Sequence, residues 1–472
     1  MRRKRKVQDE RNIQIKVKSM TREKLIRKYN VPVPRYTSYP TVPFWDTDHF
    51  SIDAWRSSVK RCFDESNHQK GIAAYIHLPF CESLCTYCAC NTRITKNHHV
   101  EEKYINSVLQ EWDMYCQLFG PVPVIRELHL GGGTPTFFKP ENLKRLINGI
   151  CVQSLLHPDF EFSFEGHPNN TTEEHLRVLH NVGFRRVSFG VQDLDPVVQK
   201  AINRVQPLEN VQHVTAASRK LGYESISFDL VYGLPFQTSE SVINTMQRVI
   251  ELEPDRIAFY SYAHVPWLKP GQRGYKDADL PTDQAKRNLY ESGQELLTSN
   301  GYIDIGMDHF AKPTDSLAEA QINGKLHRNF MGYTTSEADL LIGLGASSIS
   351  DAKYAYAQNT KKVEEYHEQV QRNQLAIFKG HIQTDDDLVV KKSILELACN
   401  GHLPNATLSL VKDSSCVEKL EEMSKEGLLE FSPKGLTITP EGKAFIRNIC
   451  SVFDLKLRTS VTDSQPIFSK SI

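Results

Sequence analysis

Between residues 72 and 300 short apolar runs alternate with longer stretches of helical periodicity, and nothing else in the chain restricts its fold so strongly. Ile72–Leu78, Arg126–Leu130, Phe160–Glu165, Arg186–Gly190, Ser225–Val231 and Arg256–Ala263 read as strands. Val100–Phe119, Pro140–Leu155, Glu173–Asn181, Leu208–Leu221 and Ser239–Leu252 read as the helices around them. Thr171 and Glu174 predict a capping box for the third helix, and Pro140 suits the first turn of the second. Strands separated by helices lie parallel and are joined by right-handed crossovers. About six such units fall short of the eight in a closed barrel, leaving an open partial barrel or a doubly wound sheet.

The polar residues within the strands point to a barrel. Alternation puts Phe160, Phe162 and Phe164 on one face of their strand and Glu161, Ser163 and Glu165 on the other. The same rule groups Ser188 with Gly190 and Gln192, and Ser225 with Ser227 and Asp229. Polar residues facing inward near strand C-termini are what a barrel uses to build a site.

Lys and Arg total 57 against 57 Asp and Glu, a formal net charge of zero, which argues against general nucleic-acid binding. No apolar run approaches the roughly 18–20 residues that span a bilayer, so no membrane integration is expected. The basic start Met1–Lys6 is followed by Gln8–Arg11 rather than an apolar stretch, so it reads as a solvated tail and the cytosol as the expected location. Beyond about Asp385, helices lead to Leu428–Phe431 and Gly435–Thr439, a pattern like a winged helix. The acidic run Val417–Glu426 disfavours DNA contact there and suits a packing or lid role.

Of ten cysteines, four fall within Cys81–Cys90, directly after the first strand. The spacing Cys81-x3-Cys85-x2-Cys88 can supply three thiolates to a [4Fe–4S] cluster and leave one iron open to another ligand, whereas electron-transfer clusters use four. Zinc held by Cys81, Cys85, Cys88 and Cys90 is the rival reading. Structural zinc usually takes paired knuckles from two places and no second pair exists here, which favours the cluster. Cys90 lies too close to Cys88 to be an obvious fourth ligand.

That spacing is the signature of the radical S-adenosylmethionine (SAM) superfamily. Further segments narrow the match: Pro34–Thr41 (PRYTSYPT), Tyr75–Cys81 (YIHLPFC), Gly131–Pro135 (GGGTP), Gly190–Asp193 (GVQD), Asp229–Pro235 (DLVYGLP) and Asn329–Thr335 (NFMGYTT). From about Lys28 to Asp454 the chain resembles the oxygen-independent coproporphyrinogen III oxidases. The resemblance implies an α/β fold: a three-quarter (β/α)6 TIM-like radical SAM barrel at 71–300, completed with active-site loops at 301–384. It implies a substrate-covering N-terminal segment at 28–70, a mainly helical, winged-helix-like C-terminal domain at 385–455, and tails at 1–27 and 456–472. The implied reaction is oxidative decarboxylation of two propionates of coproporphyrinogen III to vinyl groups, giving protoporphyrinogen IX. An electron from the reduced cluster cleaves SAM, and the resulting 5′-deoxyadenosyl radical takes hydrogen from the propionate β-carbon. A low-potential donor of flavodoxin or ferredoxin type, an unidentified final acceptor and a monomeric enzyme are also implied.

Residue roles carry over one by one. Cys81, Cys85 and Cys88 would ligate the cluster, with Tyr75, Gly132, Gly133 and Thr134 beside SAM. Glu165 would receive hydrogen bonds from SAM, and together with Asp229 it is a candidate catalytic group. Tyr87, Gln192, Arg204, Asp229 and Ala263 match positions lining the sites of two SAM molecules, and Ile349 matches an apolar contact with adenosine. Tyr87 stands where Phe is familiar, Ala89 where Gly is, His167 replaces Asp in the segment after Glu165, and Met331 replaces Gln near the second SAM. Arg35, Lys312 and Arg328 are candidates for gripping propionates. The alternative function is a haem carrier, which a related paralogue resembles. That paralogue lacks the Pro34–Thr41 segment and carries an aromatic in place of Cys90, so the enzyme reading is favoured.

Overall fold

The computed structural model describes residues 22–411, 413–459 and 467–471; the basic run Met1–Lys6 lies outside them. The described residues form two compact units, one from residues 22–43 with 389–471 and the other from Phe44–Leu388.

The larger unit is built on one twelve-stranded sheet. Its first six strands are β1 (Ile72–Leu78), β2 (Val124–Gly132), β3 (Leu155–Gly166), β4 (Phe184–Gln192), β5 (Ser225–Tyr232) and β6 (Arg256–Ser261). They pair in chain order and all parallel. The later strands are β7 (Ile303–Gly306), β8 (His309–Ala311), β9 (Leu341–Leu344), β10 (Ile349–Asp351), β11 (Ala355–Asn359) and β12 (Ile377–Ile382). β8 closes on β6 antiparallel, with β7 outside it. β9 adds a seventh parallel strand on the far side of β1, followed by the antiparallel run β10–β11–β12. The alternation pattern did not reveal β9, because its four buried residues (Leu341–Leu344) are too few to show a period.

The helices form because each presents an apolar stripe to the outer face of this sheet. Leu143, Leu146, Ile147 and Ile150 do so from Pro140–Cys151, and Val242, Met246 and Val249 from Ser239–Glu251. The capping box expected at Thr171 sits one residue later. Thr172 caps Glu173–Asn181 with His175 as its partner, while the Thr171 hydroxyl bonds His167 O and Thr136.

Strand alternation holds where the sheet is covered on both faces. Phe162 and Phe164 are buried, but Phe160 is 37% exposed in the solvent-facing first half of the strand. The inner residues Glu127, Glu161, Arg186, Ser225 and Arg256, one from each of β2 to β6, line a single cavity of 170 Å³. In a flat sheet the outer two would be about 19 Å apart, four strand spacings. The sheet is therefore curled into a partial barrel with this polar face inside.

In the smaller unit, Leu429–Ser432 and Gly435–Ile438 form the expected hairpin, joined by His402–Pro404. Tyr36 and Tyr39 from the Pro34–Thr41 segment are core residues of this unit. Tyr36 donates a hydrogen bond to Asp454 at 3.1 Å, and Arg447 holds the carbonyls of Val33 and Pro34. The stretch 28–70 is thus shared between both units, since helix Ile52–Lys70 packs on the large sheet.

Candidate active site

At the C-terminal ends of the strands a second cavity, of 560 Å³, adjoins the first and shares Glu165, Ser188, Asp229 and Tyr260 with it. Cys81, Cys85 and Cys88 lie on its wall. Their loop leaves β1 and is fixed by main-chain bonds: Gly133 N–H to Leu78 O at 2.8 Å, Thr134 N–H to Phe80 O at 3.0 Å, and Thr95 N–H to Cys81 O at 2.9 Å. On the other flank Thr86 N–H donates to Ile202 O at 3.0 Å, and Asn203 donates to Leu84 O at 2.7 Å. Among the described residues no three His, Cys, Asp or Glu side chains converge on one ion-sized point. The three thiols lie together along one cavity.

The glycines Gly131, Gly132 and Gly133 serve this architecture through protein contacts. A Cβ on Gly132, at φ +111°, would lie 2.5 Å from the His77 ring, and one on Gly133 would lie 2.6 Å from the Pro79 backbone. A Cβ on Gly131 would meet the Glu165 carboxylate at 2.8 Å and the Tyr75 ring at 3.0 Å. Each glycine thus admits a close approach by the first strand, its loop or Glu165.

Glu165 accepts from Gly132 N–H at 3.1 Å and lies 3.5 Å from His129 Nε2. Burial works against its charge, but His129 and the Gly132 amide outweigh that and hold it below the usual carboxylate range. His129, directly opposite Ser163 in the β2–β3 register, bonds the Ser163 hydroxyl at 2.8 Å and stacks on Tyr75. The Glu165 side chain is 43% exposed, all the same, because it faces the cavity. Asp229 behaves oppositely. Burial, aided by the Glu165 charge, pushes it up to about 7, although Ser188 donates to it at 3.1 Å. Two carboxyls on one wall are thereby driven to different protonation states.

Arg204 donates to Gly190 O at 2.5 Å and approaches the Cys85 sulfur at 3.6 Å. Its Nε is shut off from solvent with no hydrogen-bond partner. An unpaired guanidinium N–H on a residue that meets the Cys85 thiol at the cavity wall fits an acceptor-rich bound group. Burial and the Arg204 charge drive His167 down to about 3, and its Nδ1 accepts from Asn169 N–H, so it is a neutral wall residue. The neighbouring Cys90 thiol, against burial, holds the Cys88 thiol below the usual range.

The structure gathers Tyr87, Gly132, Gly133, Thr134, Glu165, Gln192, Arg204 and Asp229 around this cavity with the cysteines. Tyr75 lies just behind Glu165. Ala263 and Ile349 are not among the lining residues: the Ala263 carbonyl is taken by Gln272 at 3.1 Å, and Ile349 packs over Gly343. Sequence reasoning missed His129, which alternation from Gly131 could have placed inside, and Tyr260, near the end of β6 on the inner face.

Among known proteins, the radical SAM superfamily model matches residues 75–249. Oxygen-independent coproporphyrinogen III oxidase of Escherichia coli K12 is 39% identical over 455 residues, covering 95% of this chain and 98% of that one. Its counterpart from Pseudomonas aeruginosa is 38% identical over 439 residues, covering 91% and 95%. The chain belongs to the oxygen-independent coproporphyrinogen III oxidase family. The solved structure of the Escherichia coli oxidase, a radical SAM enzyme, superposes with TM-score 0.84 at 38% identity, covering 89% of this chain and 97% of that one. Family membership accounts for the curled parallel sheet and brings with it a [4Fe–4S] cluster and SAM. No helix among the described residues is long and apolar enough to cross a membrane.

Proposed function

We propose that this chain converts coproporphyrinogen III to protoporphyrinogen IX by oxidative decarboxylation of two propionates, each losing a β-hydrogen, CO2 and one further electron. The observation that carries this reading is that Cys81, Cys85, Cys88 and Arg204, whose Nε has no partner, line a cavity together with Glu165 and Asp229. When bound, the cluster and SAM supply the electron and the hydrogen-abstracting radical.

The chain's own residues then bind, orient and exclude. The three thiolates hold the cluster, and Arg204 offsets their negative charge. Glu165, kept ionised, accepts hydrogen bonds from hydroxyl or ammonium groups in the cavity. Asp229, near half-protonation at neutral pH, can donate or accept beside it. Tyr87, Gln192, Gly132, Gly133 and Thr134 complete the SAM pocket, with Tyr75 behind Glu165. Of the three cations considered for the propionates, Lys312 is spent on Glu253 O. Arg328 is 6% exposed, lies over the Tyr333 ring at 4.6 Å, and has Nε and Nη1 without partners. It is our candidate for meeting a substrate carboxylate.

A cytoplasmic monomer served by a flavodoxin- or ferredoxin-type donor is the setting that follows. Anaerobic turnover of reconstituted protein tests the reading. Coproporphyrinogen III should yield protoporphyrinogen IX with CO2, methionine and 5′-deoxyadenosine; tight haem binding without decarboxylated product would replace the enzyme with a carrier.

A further inference from the structure

Gln272 sits in the turn Pro270–Gly274, after β6, and is 0% exposed. Its Oε1 accepts from Val265 N–H at 2.6 Å. Its Nε2 donates to Ala263 O at 3.1 Å and to Tyr87 O at 3.4 Å. A buried amide costs a few kcal/mol unless its polar atoms are paired, so an apolar residue would fill this position more cheaply if filling were the only need. The partners explain the amide. One bond closes its own loop onto Val265, and the other two tie the segment just after β6 to Tyr87, between Cys85 and Cys88.

Neighbouring contacts run the same way. Lys269 Nζ donates to Cys90 O at 3.3 Å, and Gly271 packs against the Thr86 backbone. With Ile202 and Asn203 holding the opposite flank, the thiol loop is gripped from two sides.

We propose that Gln272 is a positioning residue that sets the spacing between the cysteine loop and the segment after β6, and so shapes the cofactor cavity without touching its contents. The proposal rests on the reading that this loop holds the cluster.

The test is amide hydrogen exchange on the metal-free full-length chain, paired with cofactor retention after anaerobic reconstitution. Gln272→Met keeps the length and loses the amide; Gln272→Glu keeps an acceptor for Val265 and loses both donors. In both variants residues 81–90 and 262–266 should exchange about tenfold faster, the loss of one or two buried hydrogen bonds, with β2 and β5 unchanged. Iron release to a chelator should accelerate by a similar factor. Wild-type exchange in Gln272→Glu overturns the proposal, because the donors to Tyr87 and Ala263 then hold nothing. Faster exchange spread evenly over the sheet overturns it too, making Gln272 an ordinary core residue. If Gln272→Met does not accumulate folded, Gln272→Glu decides alone. If the wild-type chain takes up no iron, the cluster reading fails while the exchange comparison still decides the role of Gln272.

Discussion

Gly131→Ala and Gly132→Ala separate the site from the fold within two adjacent positions. Gly131 does not have a positive φ, and its new methyl would meet Glu165 Oε1 at 2.8 Å and Tyr75 Cε2 at 3.0 Å. Glu165 faces the cavity and can swing away, so folding should lose no more than about 1 kcal/mol. Swinging breaks the 3.1 Å bond from Gly132 N–H and the 3.5 Å contact with His129. A hydrogen bond to a charged group is worth about 1.5–3 kcal/mol, so SAM binding should weaken roughly 10- to 100-fold. Gly132→Ala is different: φ +111° is disfavoured for alanine, and its methyl would enter the His77 ring at 2.5 Å. That ring is 6% exposed and bonded to Asn91 O and Tyr75, so it cannot yield. Strain and collision together should cost about 2–4 kcal/mol of folding stability. Equilibrium dialysis of SAM under anaerobic conditions, alongside thermal melts, reads both effects. A Gly131→Ala protein that binds SAM within twofold of wild type would refute the placement of Glu165 at the cofactor, and an unshifted melt for Gly132→Ala would refute the strain argument.

Replacing Cys81, Cys85 or Cys88 with Ala should remove most bound iron, whereas Cys90→Ala should keep it; iron and sulfide assays decide, and full iron in Cys85→Ala would end the three-thiolate assignment. Asp229, held at about 7, binds its proton more tightly folded than unfolded, so its contribution to stability falls as pH rises from about 4 to about 7. Asp229→Asn should therefore melt higher than wild type at pH 8, show a shallower decline over that window, and form no product; a normal product yield would remove the residue from the site. Arg328→Met removes two unpaired buried N–H groups and should fold at least as stably while raising the KM for coproporphyrinogen III about tenfold. An unchanged KM would return Arg328 to the core. Deletion through Thr41 takes Tyr36 and Tyr39 from the core of the smaller unit, so calorimetry should show that unit's transition lost while iron binding in the larger unit persists.

The strand and helix order was legible in the sequence because each element of the large unit buries one stripe or face, and that periodicity is local. Val100–Phe119, Glu173–Asn181 and Leu208–Leu221 begin and end where their patterns do. The inward row of Ser163, Glu165, Ser188 and Asp229 was legible for the same reason. The cysteine loop was legible as a candidate ligand set because its three thiols are local in sequence, and the structure brings Cys81, Cys85 and Cys88 to one cavity. What tertiary structure decided were meetings between distant residues. His129 reaches Glu165 only because β2 and β3 pair with His129 opposite Ser163. Gln272 meets Tyr87 across 185 positions of sequence, through a turn with no periodic signal at all. Strand β9 depends on an open edge of β1 rather than on its own four residues. The protonation of Asp229 and Glu165 was also beyond the sequence: two acids of the same chemistry part company because one is buried with little support, while the other is given an amide N–H and a histidine.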